Sequence, residues 1–85
     1  MNYEVVWDDR SENELATAWL EFPDRNAITR AAEWLDRHLA NDPLGLGIPR
    51  SSSVHRVAFR TPLGVEYEVI EDDKKVIVRG VFVAS

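Results

Sequence analysis

No cysteine occurs in these 85 residues, so no disulfide can staple the chain and no thiolate zinc site can form. That absence fits a reducing cytoplasm. No apolar run approaches the roughly 20 residues that a membrane-spanning helix needs. The opening Met1-Asn2-Tyr3-Glu4-Val5-Val6-Trp7-Asp8-Asp9 also lacks the basic start of a signal peptide. A soluble, cytoplasmic protein without membrane partners is expected. Basic residues are scarce too: ten Lys and Arg face fifteen Asp and Glu, for a net charge of −5. Proteins that grip a phosphate backbone lean the other way, so a nucleic-acid partner would need a local basic patch.

What is present suffices for one domain spanning residues 1–85. Hydrophobic residues make up 45%, with three Trp, three Phe and two Tyr, enough for a one-layer core in a chain this short. Tyr3, Val5 and Trp7 alternate with Glu4 and Val6, the pattern of a short strand. Ser11-Glu12-Asn13-Glu14 matches a capping box, with Ser11 as N-cap and Glu14 reaching back to its amide. Behind it Leu15, Ala18, Trp19 and Phe22 fall on one face of a helix that Pro23 ends. Asp24 is placed to cap a second helix, whose apolar stripe is Ile28, Ala31, Ala32, Leu35 and Leu39. So short a link makes the two helices an antiparallel hairpin, and a one-sided stripe needs a sheet to cover it. Asn41-Asp42-Pro43 stops the second helix, and residues 44–53, rich in Gly, Pro and Ser, are expected to form a loop.

The remainder has the pattern of a three-strand meander. His55, Val57 and Phe59 alternate with Arg56, Ala58 and Arg60; after Thr61-Pro62-Leu63-Gly64, Val65, Tyr67 and Val69 alternate with Glu66 and Glu68. A register pairing odd positions with odd ones keeps the apolar sets together. A turn tipped by Asp72-Asp73 sets Val69 opposite Val76, Tyr67 opposite Val78 and Glu66 opposite Arg79. Lys75 to Val83 is apolar on both faces apart from Arg79, as an interior strand is. The fold class is therefore α+β, in the order β-α-α-β-β-β, with a helical hairpin on one face of a mainly antiparallel four-stranded sheet.

On that register Arg56, Arg60, Glu66, Glu68 and Arg79 project from the sheet face opposite the helices. Such a face is either a solvated ladder of ion pairs, each contributing about 0.2–1 kcal/mol, or a guanidinium cluster for a phosphoryl-transfer transition state. In the second case Glu66 or Glu68 is the local general base. The glutamates largely neutralise the arginines, which favours the ladder. His55 falls among the core-facing positions, and His38 lies near a helix end where an imidazolium favours the dipole; their spacing suits no metal. Trp19 is assigned to the core and Trp34 to its margin. Gly45 and Gly47 do not form a phosphate loop, and Ser51-Ser52-Ser53 has no evident base partner.

The chain resembles the RelE/ParE superfamily of toxins over nearly its whole length. The residues that carry the likeness are Tyr3-Glu4-Val5-Val6-Trp7, the Ala/Leu-rich second helix ending at Asn41-Asp42-Pro43, and the segments Arg56-Val57, Gly64-Val65-Glu66-Tyr67-Glu68-Val69 and Val76-Ile77-Val78-Arg79. The resemblance implies a type II toxin–antitoxin (plasmid-stabilisation) protein neutralised by a cognate antitoxin, with no cofactor. RelE-like members cut messenger RNA on the ribosome without metal; ParE-like members poison DNA gyrase. It also implies that Arg56 matches the family's arginine on the first meander strand and that Arg79 lies near a functional arginine position; in the nuclease reading Arg60 joins them in binding the substrate phosphate. Gly64 stands where many nucleases of the family carry Arg, and Phe82-Val83-Ala84-Ser85 replaces their His-Arg and terminal Tyr. These departures bear on catalysis rather than on fold. The leading expectation is a toxin-type protein with RNA cleavage weak or absent; the alternatives are a true mRNA endoribonuclease and a pure protein-binding module.

Overall fold

Local sequence starts and stops each helix. In the computed structural model, which describes residues 2–50, 52 and 54–84, strand β1 (Glu4–Trp7) leads into helix α1 (Asp9–Glu21). Its N-cap is Asp8, whose carboxylate accepts from the Ser11 amide at 2.8 Å. The helix thus begins one turn earlier than the Ser11–Glu14 box predicted, because aspartate caps as well as serine does. Ser11 is buried inside the first turn, its hydroxyl donating to the Asp8 carbonyl at 2.9 Å. Glu14, released from capping, accepts from the Val81 amide at 2.9 Å and ties α1 to the last strand. Asp24 caps α2 (Arg25–Asn41) as predicted, accepting from the Ala27 amide. Residues 44–53 are not all loop: Asp42 caps a single turn, α3 (Pro43–Leu46), and β2 (Ile48–Pro49) follows. Ser51 and Ser53 lie outside the described residues.

Strands β3 (His55–Arg60), β4 (Leu63–Ile70) and β5 (Lys75–Val83) complete a sheet of five strands, not four, in the order β1-β5-β4-β3-β2. β1 lies parallel to β5; the other pairings are antiparallel. An interior strand needs a neighbour on each side, and the hairpin with β4 supplies only one. β1 supplies the other.

The register of β3 on β4 differs from the expectation. Only Thr61-Pro62, joined by a cis peptide bond, separates the two strands, so Arg60 pairs with Leu63, Ala58 with Val65 and Arg56 with Tyr67. Odd positions of β3 therefore face even positions of β4. A one-residue slip sends every side chain of a strand to the other face, so Arg56, Ala58 and Arg60 point toward the helices, and Val57 and Phe59 toward the open face. Gly64 makes this arrangement possible. The rings of Phe59 and Phe82 meet edge to face at 5.8 Å beside it, where a Cβ would lie 2.4 Å from Phe82 Cζ and 3.1 Å from Phe59 Cδ1. Phe59 is consequently 53% exposed and not a core residue. On β5, Val69–Val76 and Tyr67–Val78 pair as predicted, but Glu66 then faces Gly80, and Arg79 becomes the extra residue of a bulge.

The core lies between the hairpin and the sheet. Ile28, Ala31, Leu35 and Leu39 of α2 pack on Val65, Tyr67, Val76 and Val78, all nearly inaccessible. Trp19 is not in it: the side chain is 40% exposed under the Arg25 guanidinium, 4.6 Å from its ring. Tyr67 is buried and donates to the Pro43 carbonyl at 2.6 Å. Burial pushes its phenol above the ordinary value, opposed by the Arg56 guanidinium beside it. A phenol whose pKa is raised on folding stabilises the fold below its unfolded pKa of about 10, and that stability is lost as pH rises through the folded value. Tyr67→Phe should therefore cost about 1–3 kcal/mol at neutral pH, by orphaning the Pro43 carbonyl, yet show a flatter alkaline profile than wild type in denaturant melts between about pH 9 and 11.

Candidate functional site

The bulge at Arg79 sets the geometry of the open face. Arg79 donates to Glu68 Oε1 through Nη2 at 2.8 Å and through Nε at 3.3 Å, and Nη1 lies 3.7 Å from Asp8 Oδ2. The Glu68 hydrogen bond, with further attraction from Glu68 and Asp8, raises the Arg79 pKa beyond its already high value. The other Glu68 oxygen stands 4.0 Å from His55 Nε2, and His55 Nδ1 is 2.9 Å from Ser52 Oγ. A polar chain thus runs Ser52–His55–Glu68–Arg79–Asp8 across the open sheet face. Glu66 is exposed next to it, opposite Gly80.

Arg56 and Arg60 are elsewhere. Arg56 lies on the helix side, half-buried, and its Nη2 donates to the Leu44 and Gly47 carbonyls at 2.7 Å each. It ties α3 and the start of β2 to the sheet. Arg60 lies over the Trp34 ring at 4.7 Å, against α2. Of the five residues expected on one face, the structure brings together Glu66, Glu68 and Arg79 and separates Arg56 and Arg60 from them. The cause is the β3 register, on which the expectation depended.

Chemically, this face differs from a guanidinium cluster. Arg79 is shared between two carboxylates, so that trio carries one positive and two negative charges, a local excess of one negative charge that disfavours phosphate. His55 was missed as a site residue because strand alternation placed it with the core. It is exposed, and it is the one imidazole on this face among the described residues. Asp8 was missed because the cap of α1 was assigned to Ser11. Within the described residues no three His, Cys, Asp or Glu side chains are placed to hold a metal ion. Among the described residues no helix is long and apolar enough to cross a membrane.

A second feature lies on the other side. Between α1 and α2 run two adjoining clefts of about 590 and 520 Å³ that share Glu12, Leu15, Ala32 and Glu33. Trp7, whose indole N–H donates to Asp36 Oδ1 at 2.8 Å, lines one end, and Trp19 and the exposed Leu20 the other. The floor is apolar and the rim mainly acidic.

The toxin of the RelBE2 toxin–antitoxin complex from Mycobacterium tuberculosis superposes with a TM-score of 0.78 at 16% identity, over 98% of this chain and 92% of that one. A mutant of the E. coli toxin RelE in the free state gives 0.72 at 17%, over 95% and 82%. The chromosomal ParDE system from P. aeruginosa gives 0.68 at 13%, over 98% and 97%. This chain has the RelE/ParE toxin fold. No family model and no curated protein matches its sequence. The same fold is reached here at 13–17% identity, because a one-layer core needs the pattern of apolar positions and not particular residues. Within the RelE/ParE fold, the open sheet face carries the His55–Glu68–Arg79 array and the helix side carries the two clefts.

Proposed function

We propose that this chain is the toxin-type member of a type II toxin–antitoxin pair. In this reading a cognate antitoxin holds it inactive in the cytoplasm, and it acts by binding a protein target, DNA gyrase being one candidate, not by cutting messenger RNA. The carrying observation is the match of fold over 98% of the chain to the toxin of RelBE2. The acidic-rimmed groove between α1 and α2 supports a protein partner: it offers Leu15, Ala32 and the exposed Leu20 to apolar side chains, and its rim favours a basic segment. The pairing of Arg79 with Glu68 and Asp8 argues against phosphate binding.

A ribosome-dependent nuclease is the second reading, and the His55–Glu68–Arg79 array is what favours it. Arg79 would hold the scissile phosphate, Glu68 or Glu66 would take the 2′-hydroxyl proton, and His55 would serve as acid. Inducible expression with a growth readout, followed by transcript-end mapping, separates the two. Growth arrest is expected, without new transcript ends, retained in His55→Ala and Arg79→Ala and relieved by co-expressing any antitoxin-type gene found beside its own. New cleavage sites lost in both variants would establish the nuclease instead, and unimpaired growth would remove the toxin reading.

A further inference from the structure

Arg60, displaced from the open face, belongs to a different cluster. Trp34 projects from α2 at the edge of the core, and its ring stacks on His38 with centroids 3.7 Å apart and planes 17° off parallel. The Arg60 guanidinium lies 4.7 Å from the Trp34 ring. His38 and Arg60 therefore both lie against the Trp34 ring. Arg30 and Arg37 flank Trp34 four residues before and three residues after it, and with Arg60, Glu33 and Thr61 they line a cleft of about 310 Å³. Three guanidiniums and one carboxylate give this patch a charge of +2 (3 − 1) in a chain of net −5. Among the described residues Arg10, Lys74 and Arg79 each sit within 4.0 Å of a carboxylate, whereas Arg30, Arg37 and Arg60 do not.

We propose that this patch is a docking site for an acidic segment of a protein partner, with Arg60 as its anchor. Lying over Trp34, the Arg60 guanidinium is pre-ordered, so its N–H fork loses less entropy on meeting a carboxylate, and the ring partly strips it of water. Bidentate pairing with an Asp or Glu side chain is what such a fork fits. The observations favour a peptide over a nucleic acid. The Trp34 ring already carries the stacked His38 and the Arg60 guanidinium, and the cleft has room for one or two side chains and not for a strand. Outside the patch the chain carries −7 (−5 − 2), which would repel a polyanionic backbone along its length. A short acidic segment meets only the patch. The site lies apart from the open face; it shares Glu33 and Arg37 with the groove between α1 and α2, but Arg30, Arg60 and Thr61 do not line that groove, so it stands whether or not the chain arrests growth.

The test is a titration of isotope-labelled protein with a capped hexaglutamate peptide, followed through the Trp34 indole N–H, with hexalysine and an oligothymidylate as comparisons. Hexaglutamate should shift the Trp34 signal saturably, and more weakly at high salt. Arg60→Ala and Arg37→Ala, both at exposed positions, should each weaken binding about tenfold, equivalent to about 1.4 kcal/mol. Arg60→Lys should fall between, having charge without the fork. Arg10→Ala, whose arginine pairs with Glu14 on α1, should bind as wild type. No saturable shift, or a shift indifferent to both arginine variants, overturns the site. An oligothymidylate that shifts the same signals at lower concentration overturns the class of partner.

Discussion

Leu35→Ala is expected to remove about 2–5 kcal/mol of stability, the cost of deleting a buried aliphatic side chain and leaving part of its cavity. Leu35 is fully inaccessible on the core face of α2, with Ile28, Ala31 and Leu39 along the same stripe and the sheet across from it. A domain of this size has little more than that in total, so the variant should melt far below wild type or be unfolded at ambient temperature. Phe59→Ala is the comparison that gives the result its meaning. Alternation along β3 places Phe59 in the core, but the structure leaves the ring half in water, touching Phe82 over Gly64. Its loss should cost about 0.5–1.5 kcal/mol, the value of one aromatic pair. Urea midpoints for the two variants decide between the registers. Equal, large losses would mean that β3 is paired as alternation suggested.

Arg56→Ala should destabilise the fold by about 1.5–3 kcal/mol, while Arg79→Ala should change it by less than about 1 kcal/mol. Both residues look alike in sequence: arginines on strands, each beside a valine. Arg56 is half-buried and donates one nitrogen to two backbone carbonyls, of Leu44 and Gly47. Truncation leaves those acceptors short of a charged donor and frees α3 to drift from β3. Arg79 is half-exposed, and its pairs with Glu68 and Asp8 are screened by solvent. Chemical denaturation of the two single variants reads this directly. A phenotype of Arg56→Ala alone is therefore not evidence for a phosphate site, since loss of folded protein would produce it.

Much of the architecture was legible in the linear chain. Local signals acting within one turn were read correctly where they had no competitor: Asp24 before α2, Pro23 after α1, Pro43 after α2, and the apolar stripe of Ile28, Ala31, Leu35 and Leu39. The start of α1 was misread because Asp8 and Ser11 both suit an N-cap, and Glu14 found a better partner in the Val81 amide. The β4–β5 pairing was legible up to Tyr67 because apolar positions coincide on the two strands. The bulge beyond it was not, since Arg79 can be accommodated in or out of register at similar local cost. The parallel pairing of β1 with β5 joins residues about 70 positions apart, and periodicity carries no information on which strand edge a distant segment will choose.

The sequence by itself determined the α+β class, the hairpin, the strand order of the meander and most of the core, because these follow from periods of 3.6 and 2 and from caps and breakers acting locally. Only the tertiary structure decided which face each arginine serves. That outcome rests on a single-residue register set by the two-residue Thr61-Pro62 turn and by the space above Gly64, into which the rings of Phe59 and Phe82 fit. A strand whose residues are apolar at Val57, Ala58 and Phe59 presents acceptable side chains to either face, so alternation does not choose between them. The choice falls to cross-strand packing, and with it go Arg56 to the carbonyls of α3, Arg60 to Trp34, and Arg79 alone to the open face.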